Sequence, residues 1–587
     1  MSIFKRVFFI LDSAGGVILR SLRTAPPAVF CFIPFLLLMV LLSGCGSDST
    51  EQESRVDKLL KSMSVEEKVG QIMVGFFRGA TLSAEQQQRI RDLHLGGVVL
   101  YSSTGNIENT TQVADLVTSV QNTARDAGGI PLFVSIDQEG GWICRITQGI
   151  TVFPGNMALG AGGSGELSAH SADIMARELR ALGITMNYAP VVDVNSNPAN
   201  PIIGVRSFGS SPEDVARLGT AQIDPYRDAG VLCVAKHFPG HGDTDVDSHL
   251  GLPIVRHDRA RLDAVELYPF KAMVKAGVPA VMTAHVEVPA LDPSGLPGTL
   301  SAPILGVLRE EMGFDGLIIT DSMGMGAIVQ GWGLEEASIL SFLAGTDILL
   351  FGADKGHEPG EQDGIHKALT AAVKSGRIPM ERLDASVRRI LTVKKEYGIL
   401  DDPFPKVKWQ ASLASAEHVA VARRVADLGV TLVRNDQKLL PLSGTAPIPV
   451  LWPTEMKSYL QPLLAELPWL VPCYAPLQPA PEDTARVLET VRGASAILVG
   501  SYNLSSNTGW RDLILSLGAE NLVVAAVRSP YDLVQIPKVS TYLAVYSDRP
   551  VAMQTLAGLL TGNQFPGGLL PVELPALYPR GWGMTTF

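Results

Sequence analysis

Val231-Leu232-Cys233-Val234-Ala235 runs directly into Lys236-His237-Phe238-Pro239-Gly240-His241-Gly242-Asp243-Thr244-Asp245-Val246-Asp247-Ser248-His249. The uninterrupted apolar run reads as a strand buried on both faces, the habit of parallel sheets. The fourteen residues after it hold three His, three Asp and one Lys. A buried strand that turns into a polar loop is where an α/β enzyme keeps its chemistry. Working outward, Ser64-Val65-Glu66-Glu67 has capping-box spacing and opens a helix into the run 69–74. Further apolar runs stand at 97–101, 132–136, 185–189, 231–235, 280–284, 317–320 and 347–351, making eight predicted strands with the first. Amphipathic stretches at 111–124, 166–182, 212–228 and 259–276 are long enough for crossover helices. Eight βα units predict a TIM-type (β/α)8 barrel of class α/β, with its site at the carboxyl ends of the strands. Asp137, Asp193, Lys236, His237, His285 and Asp321 each fall at or just beyond the end of a run. A doubly wound open sheet would alternate similarly, but would gather its site at one switch point.

At 587 residues the chain exceeds what one core usually organises. The predicted division is a barrel over 54–400, a linker over 401–414 marked by Asp401-Asp402-Pro403-Phe404-Pro405, and a smaller α/β sandwich over 415–587. In that last part a helix over 415–429 leads into Thr431-Leu432-Val433-Arg434-Asn435, and strand-like runs recur at 449–452, 496–500, 522–527 and 542–546. Hydrophobic residues at 46% and charged residues at 18% describe a globular chain. A net charge of −11 with no Lys/Arg run argues against a nucleic-acid partner. Of five cysteines, Cys144, Cys233 and Cys473 are widely spaced, giving neither a disulfide framework nor a zinc motif.

The N-terminus reads as an address. Lys5, Arg6, Arg20 and Arg23 precede an apolar run at 28–42, which closes on Leu42-Ser43-Gly44-Cys45. That order is an export signal, and the closing residues resemble a bacterial lipobox. The resemblance implies a signal segment over 1–45, lipidation of Cys45, a polar tether over 46–53 and anchoring in the cell envelope. Gly46 rather than Asp after the cysteine implies the outer membrane. An uncleaved signal anchor is the alternative, and a second apolar patch, Val7 to Leu11, leaves the true start open.

The wording from Lys236 to His249 resembles the Lys-His-Phe-Pro-Gly-His-Gly…Asp-x-His signature of family 3 glycoside hydrolases, in particular the β-N-acetylglucosaminidase branch. Ile319-Thr320-Asp321-Ser322-Met323 resembles that family's nucleophile motif. The chemistry suits the residues: a retaining glycosidase needs an ionised oxygen to attack the anomeric carbon and a separate proton donor for the leaving oxygen. Asp247 and His249, two apart, could face the same way on an extended loop, the carboxylate fixing the tautomer of the imidazole. The resemblance implies Asp321 as nucleophile, His249 as acid and base, and Asp247 as its orienter. It further implies that Asp137, Arg145, Arg206, Lys236 and His237 bind the sugar. Trp142 stands where the family's Gly-Gly-Arg-Val-x-Arg wording has its first Arg, so it is expected either to stack on a sugar or to cover the barrel rim. His241, His285 and Glu139 are expected to shape the site rather than react. No cofactor and no metal are expected, and the oligomeric state is not legible.

The expected activity is a retaining exo-β-N-acetylglucosaminidase acting on chitin- or peptidoglycan-derived glycans. Within the class, a β-glucosidase, xylosidase or phosphorylase is the alternative, since an imidazole base does not repel phosphate as a carboxylate does. From other classes come a metallohydrolase with His237, His241, Asp245 and His249 as ligands, and a glycan-binding lipoprotein with a decayed site.

Overall fold

A computed structural model describes residues 54–442 and 446–587. The export segment, Cys45 and the tether lie outside the described residues. The chain divides after Lys58, and everything below concerns the compact unit Leu59–Phe587.

Eight short parallel strands form the first sheet: β1 Met73–Gly75, β2 Gly97–Leu100, β3 Phe133–Ile136, β4 Met186–Asn187, β5 Leu232–Phe238, β6 Ala280–Thr283, β7 Leu317–Ile319 and β8 Leu349–Leu350. They pair in the order β8-β1-β2-β3-β4-β5-β6-β7. A parallel bridge between Ile319 and Ile348 brings β7 back to β8 and closes the barrel. All eight predicted strands are present because each is an apolar run too short for a helix and buried on both sides. The predicted capping box forms too: Ser64 caps the helix Val65–Gln71, and Glu67 returns to the Ser64 backbone.

The β7/β8 seam is stitched by one side chain. Buried Asp347 accepts the Ile318 N–H and an Arg309 N–H through one carboxylate oxygen, at 3.1 and 2.7 Å. Its other oxygen accepts from Ser386 and Arg389 at 2.6 and 3.1 Å.

Three local expectations change. β5 runs on to Phe238, so Lys236 and His237 stand on the strand and the loop begins after it. Its pairing with β6 shifts register between Ala235 and Phe238, which re-aims the two side chains between. The stretch 212–228 is two helices, Pro212–Thr220 and Ile223–Asp228, and 259–276 is Arg259–Ala264 followed by Tyr268–Lys275. Pro225 and Pro269 fit only in the first turn of a helix, where a missing N–H leaves no bond unmade.

The second sheet has six strands: β9 Thr431–Asn435, β10 Ile448–Pro453, β11 Leu470–Ala475, β12 Ile497–Ser501, β13 Leu522–Ala526 and β14 Thr541–Ala544. Their order is β9-β14-β13-β12-β10-β11, with β9 antiparallel to β14 and the other pairs parallel. β11 was not predicted; Pro472 interrupts its apolar pattern, which is tolerated because it is an edge strand. Helix Ala416–Gly429, capped by Ser415, enters this domain as expected. Buried Glu178 ties the parts together, accepting from the Thr151 backbone, the Ala414 N–H and the His418 ring.

Candidate active site

The carboxyl ends of the barrel strands surround a cavity of about 330 Å³ lined by Asp137, Arg145, Arg206, Lys236, His237, His249 and Asp321, with Tyr101, Tyr188, Asp354 and Lys355 among its other walls. Seven of the eight site residues predicted from sequence therefore share one space. Asp247 does not line it, but it holds His249, which does. The described lining comes entirely from the barrel.

Lys236 sits at the bottom, 2% exposed, with Nζ donating to Asp137 and Glu139 at 2.9 and 2.8 Å. Arg145 donates to the other oxygen of Asp137 at 3.0 Å. Arg206 grips both oxygens of Glu139, at 2.9 and 2.8 Å. Burial alone would push the Asp137 and Glu139 carboxyls up, but the surrounding cations prevail and hold both below the usual carboxylate range. Likewise burial opposes the charge on Lys236, and the two carboxylates restore it, keeping its pKa above the ordinary lysine value. The result is a lattice of ionised donors and acceptors at the cavity floor, the arrangement that recognises vicinal hydroxyls by fixed geometry.

His237 is set by Asp193, which is fully buried. The Nδ1–H donates to Asp193 at 2.7 Å, and the other Asp193 oxygen accepts the backbone N–H groups of His237 and His241, at 3.2 and 2.7 Å. The partner assigns the tautomer: Nδ1 carries the proton, and Nε2 faces the cavity 3.4 Å from Arg206. Sequence reasoning placed Asp193 at a strand end and gave it no role, because its partner lies 44 residues away.

Asp321 follows β7. Its Oδ1 accepts the Ser322 N–H at 2.7 Å. Burial raises its pKa, but the imidazoles of His237, His285 and His249 outweigh that and leave it below the ordinary aspartate value, so it is ionised. The Ser322 hydroxyl donates to Asp354 and accepts the Gly352 N–H at 2.8 Å. Asp354, a wall residue no motif announced, has its pKa raised by burial and by Asp321. His285 is buried with one ring nitrogen on Thr299 and the other on the Ser322 carbonyl, both at 2.8 Å, and so supports the Asp321–Ser322 turn with both ring nitrogens occupied.

The remaining pair is on the loop. His249 Nδ1–H donates to Asp247 Oδ1 at 2.8 Å, and that same oxygen accepts the His249 N–H at 2.9 Å. Nε2 is thereby left for the cavity. His241 bonds Thr244 and Ser248 at 2.7 and 2.9 Å and braces this loop. The four residues considered as metal ligands do not converge: among the described residues no three His, Cys, Asp or Glu side chains form such a group. Trp142 is not among the residues that line this cavity. It faces the second domain, with the Arg528 guanidinium 5.2 Å from its ring centre.

A closed barrel that gathers an ionised carboxylate, an oriented imidazole and a floor of hydroxyl-binding groups at its strand ends is equipped to cleave glycosidic bonds. Residues 64–393 match the glycosyl hydrolase family 3 N-terminal domain, and the chain belongs to that family, in its β-hexosaminidase branch. It is 37% identical over 387 residues to beta-hexosaminidase A of Pseudoalteromonas piscicida, covering 63% of this chain and 64% of that protein, a little under two thirds of the relative's length. It is 29% identical to a beta-N-acetylglucosaminidase/beta-glucosidase of Cellulomonas fimi, over 88% of this chain and 94% of the relative. A solved family 3 beta-N-acetylglucosaminidase from a Paenibacillus superposes with a TM-score of 0.82 at 39% identity, covering 87% of this chain and 99% of that one.

Proposed function

We propose that this protein is a retaining exo-β-N-acetylglucosaminidase that removes terminal β-linked N-acetylhexosamine from chitin- or peptidoglycan-derived glycans. Asp321 attacks the anomeric carbon to form a glycosyl-enzyme, while the His249 imidazolium gives its Nε2 proton to the leaving oxygen. His249, now neutral, then takes a proton from water, which attacks the anomeric carbon and releases Asp321. Asp247 accepts from Nδ1 in both halves, fixing the tautomer and stabilising the imidazolium. Asp137, Arg145, Lys236, His237 and Arg206 hold the terminal sugar.

One observation carries this reading: the Asp247–His249 bond leaves Nε2 as the free nitrogen of an imidazole that shares the cavity with ionised Asp321. The relatives' names agree with it, and the Cellulomonas fimi name, which spans both sugars, also supports a glucoside reading. The test is release of 4-nitrophenol from the β-N-acetylglucosaminide and β-glucoside by wild type, Asp321→Ala and His249→Ala, in water and in phosphate. Turnover of the acetamido sugar lost in Asp321→Ala supports the proposal. Faster glucoside turnover replaces it with a glucosidase, and sugar phosphate formed in phosphate buffer replaces it with a phosphorylase. The proposed residence is the cell envelope, held by acyl chains on Cys45; fatty-acid labelling of wild type but not Cys45→Ala checks it.

A further inference from the structure

Between Asp137 and Arg145 the chain makes a small hairpin, Gln138–Gly140 paired with Ile143–Cys144. Its ends are joined twice. Arg145 donates to Asp137 at 3.0 Å, and the Gln138 side-chain oxygen accepts the backbone N–H groups of Arg145 and Ile146 at 3.0 and 3.1 Å. Its turn is closely backed: Gly141 has φ of 58°, and a Cβ there would stand 2.7 Å from the Pro154 carbonyl. The hairpin is thus a short stiff lever, with the Asp137–Arg145 pair at one end and Gly141–Trp142 at the other.

The far end is gripped by the second domain. Arg549, 7% exposed, donates through Nε to the Gly141 carbonyl at 2.7 Å and through Nη2 to the Trp142 carbonyl at 3.2 Å. Arg528 covers the Trp142 ring and is itself held at 2.9 Å by Asp548, which is 1% exposed. Two bonds from one buried guanidinium to adjacent carbonyls fix both the position and the tilt of the turn.

We propose that Arg549 is a positioning residue for the sugar-binding Asp137–Arg145 pair, acting from the second domain through the hairpin turn it grips. This rests on the reading of that pair as sugar ligands. It also accounts for Trp142: an indole there gives Arg528 a flat face to cover, so this position serves the junction of the two domains.

The test uses Arg549→Met, which keeps the stem and removes the donors, and Arg549→Lys, which keeps one charge and can reach one carbonyl. Hydrogen exchange of unliganded full-length protein is expected to rise in the 138–145 segment of Arg549→Met. With the 4-nitrophenyl β-N-acetylglucosaminide, Arg549→Met is expected to raise KM about tenfold with kcat within about twofold, and Arg549→Lys to recover part of the loss. Combined with Arg145→Met, Arg549→Met is expected to add little further loss, because both act through the same pair. Unchanged exchange, or losses that multiply in the double variant, would overturn the proposal. A wild type inactive on every glycoside would instead overturn the reading of Asp137 and Arg145, whereas the exchange result still judges the grip. Should Arg549→Met fold poorly, Arg528→Met carries the same expectation in weaker form, and no change in its exchange or KM counts against the proposal.

Discussion

The molecule holds two aspartate–histidine pairs joined by almost the same bond, 2.7 Å in Asp193–His237 and 2.8 Å in Asp247–His249. Their surroundings differ. The His237 side chain is 5% exposed and Asp193 not at all, whereas His249 is 53% exposed and Asp247 27%. In the buried pair the carboxylate also holds two backbone N–H groups, so the imidazole is part of the barrel wall and its Nε2 has one fixed direction. In the loop pair the carboxylate holds little besides the histidine and its own N–H, so the ring can meet solvent and pass protons. On the proposed mechanism, the same chemistry makes a fixed sugar contact in one setting and a proton carrier in the other.

Substitutions can break this contrast, and the largest effect belongs on the loop. His249→Ala should lower kcat on a glycoside with a poor leaving group by a factor of about 10² to 10⁴, the usual worth of a positioned acid–base group, with little change in melting temperature. Steady-state kinetics beside a thermal melt would show it; a lowered melting temperature with intact kcat would reverse the roles assigned to the pairs. Asp193→Ala should do the opposite first, destabilising the fold by about 3 kcal/mol because a buried histidine and two backbone donors lose their acceptor. Denaturant titration measures that loss. His237→Ala should raise KM by about tenfold while leaving most of kcat, the signature of lost ground-state binding.

A further expected effect is a slope in pH. Burial, aided by neighbouring His237, pushes His241 from 6.5 down to about 4. Unfolded protein therefore binds a proton that the folded protein refuses. Its stabilising contribution is full above pH 6.5 and declines as pH falls from 6.5 towards 4, below which the folded form takes the proton too. A His241→Gln variant should show a flatter stability curve in that window by denaturant titration, and an unchanged slope would assign the effect elsewhere.

Much of this was legible in one dimension. Each barrel strand is an apolar run whose burial follows from its own composition, and Lys236, His237, Asp247, His249 and Asp321 sit in wording dense enough to be recognised. The tie between Asp247 and His249 is local, two residues apart, so spacing alone suggested it. What was hidden depends on distance along the chain. Asp193 acts on a histidine 44 residues on, Glu139 on an arginine 67 residues on, and Asp354 on a serine 32 residues back. Trp142 resolves only when Arg528 folds over it. β11 escaped notice because Pro472 spoils a pattern that an edge position tolerates.

The seam of the barrel has one more consequence. Asp321 stands on the chain leaving β7 and Asp354 on the chain leaving β8, the two strands that Asp347 sews together from below and Ser322 bridges from above. The last joint that closes the cylinder is therefore also the gauge that sets how far apart these two acids stand. An error in closing the ring would change that separation at the mouth of the cavity, so the soundness of the scaffold and the calibration of the proposed site depend on the same joint.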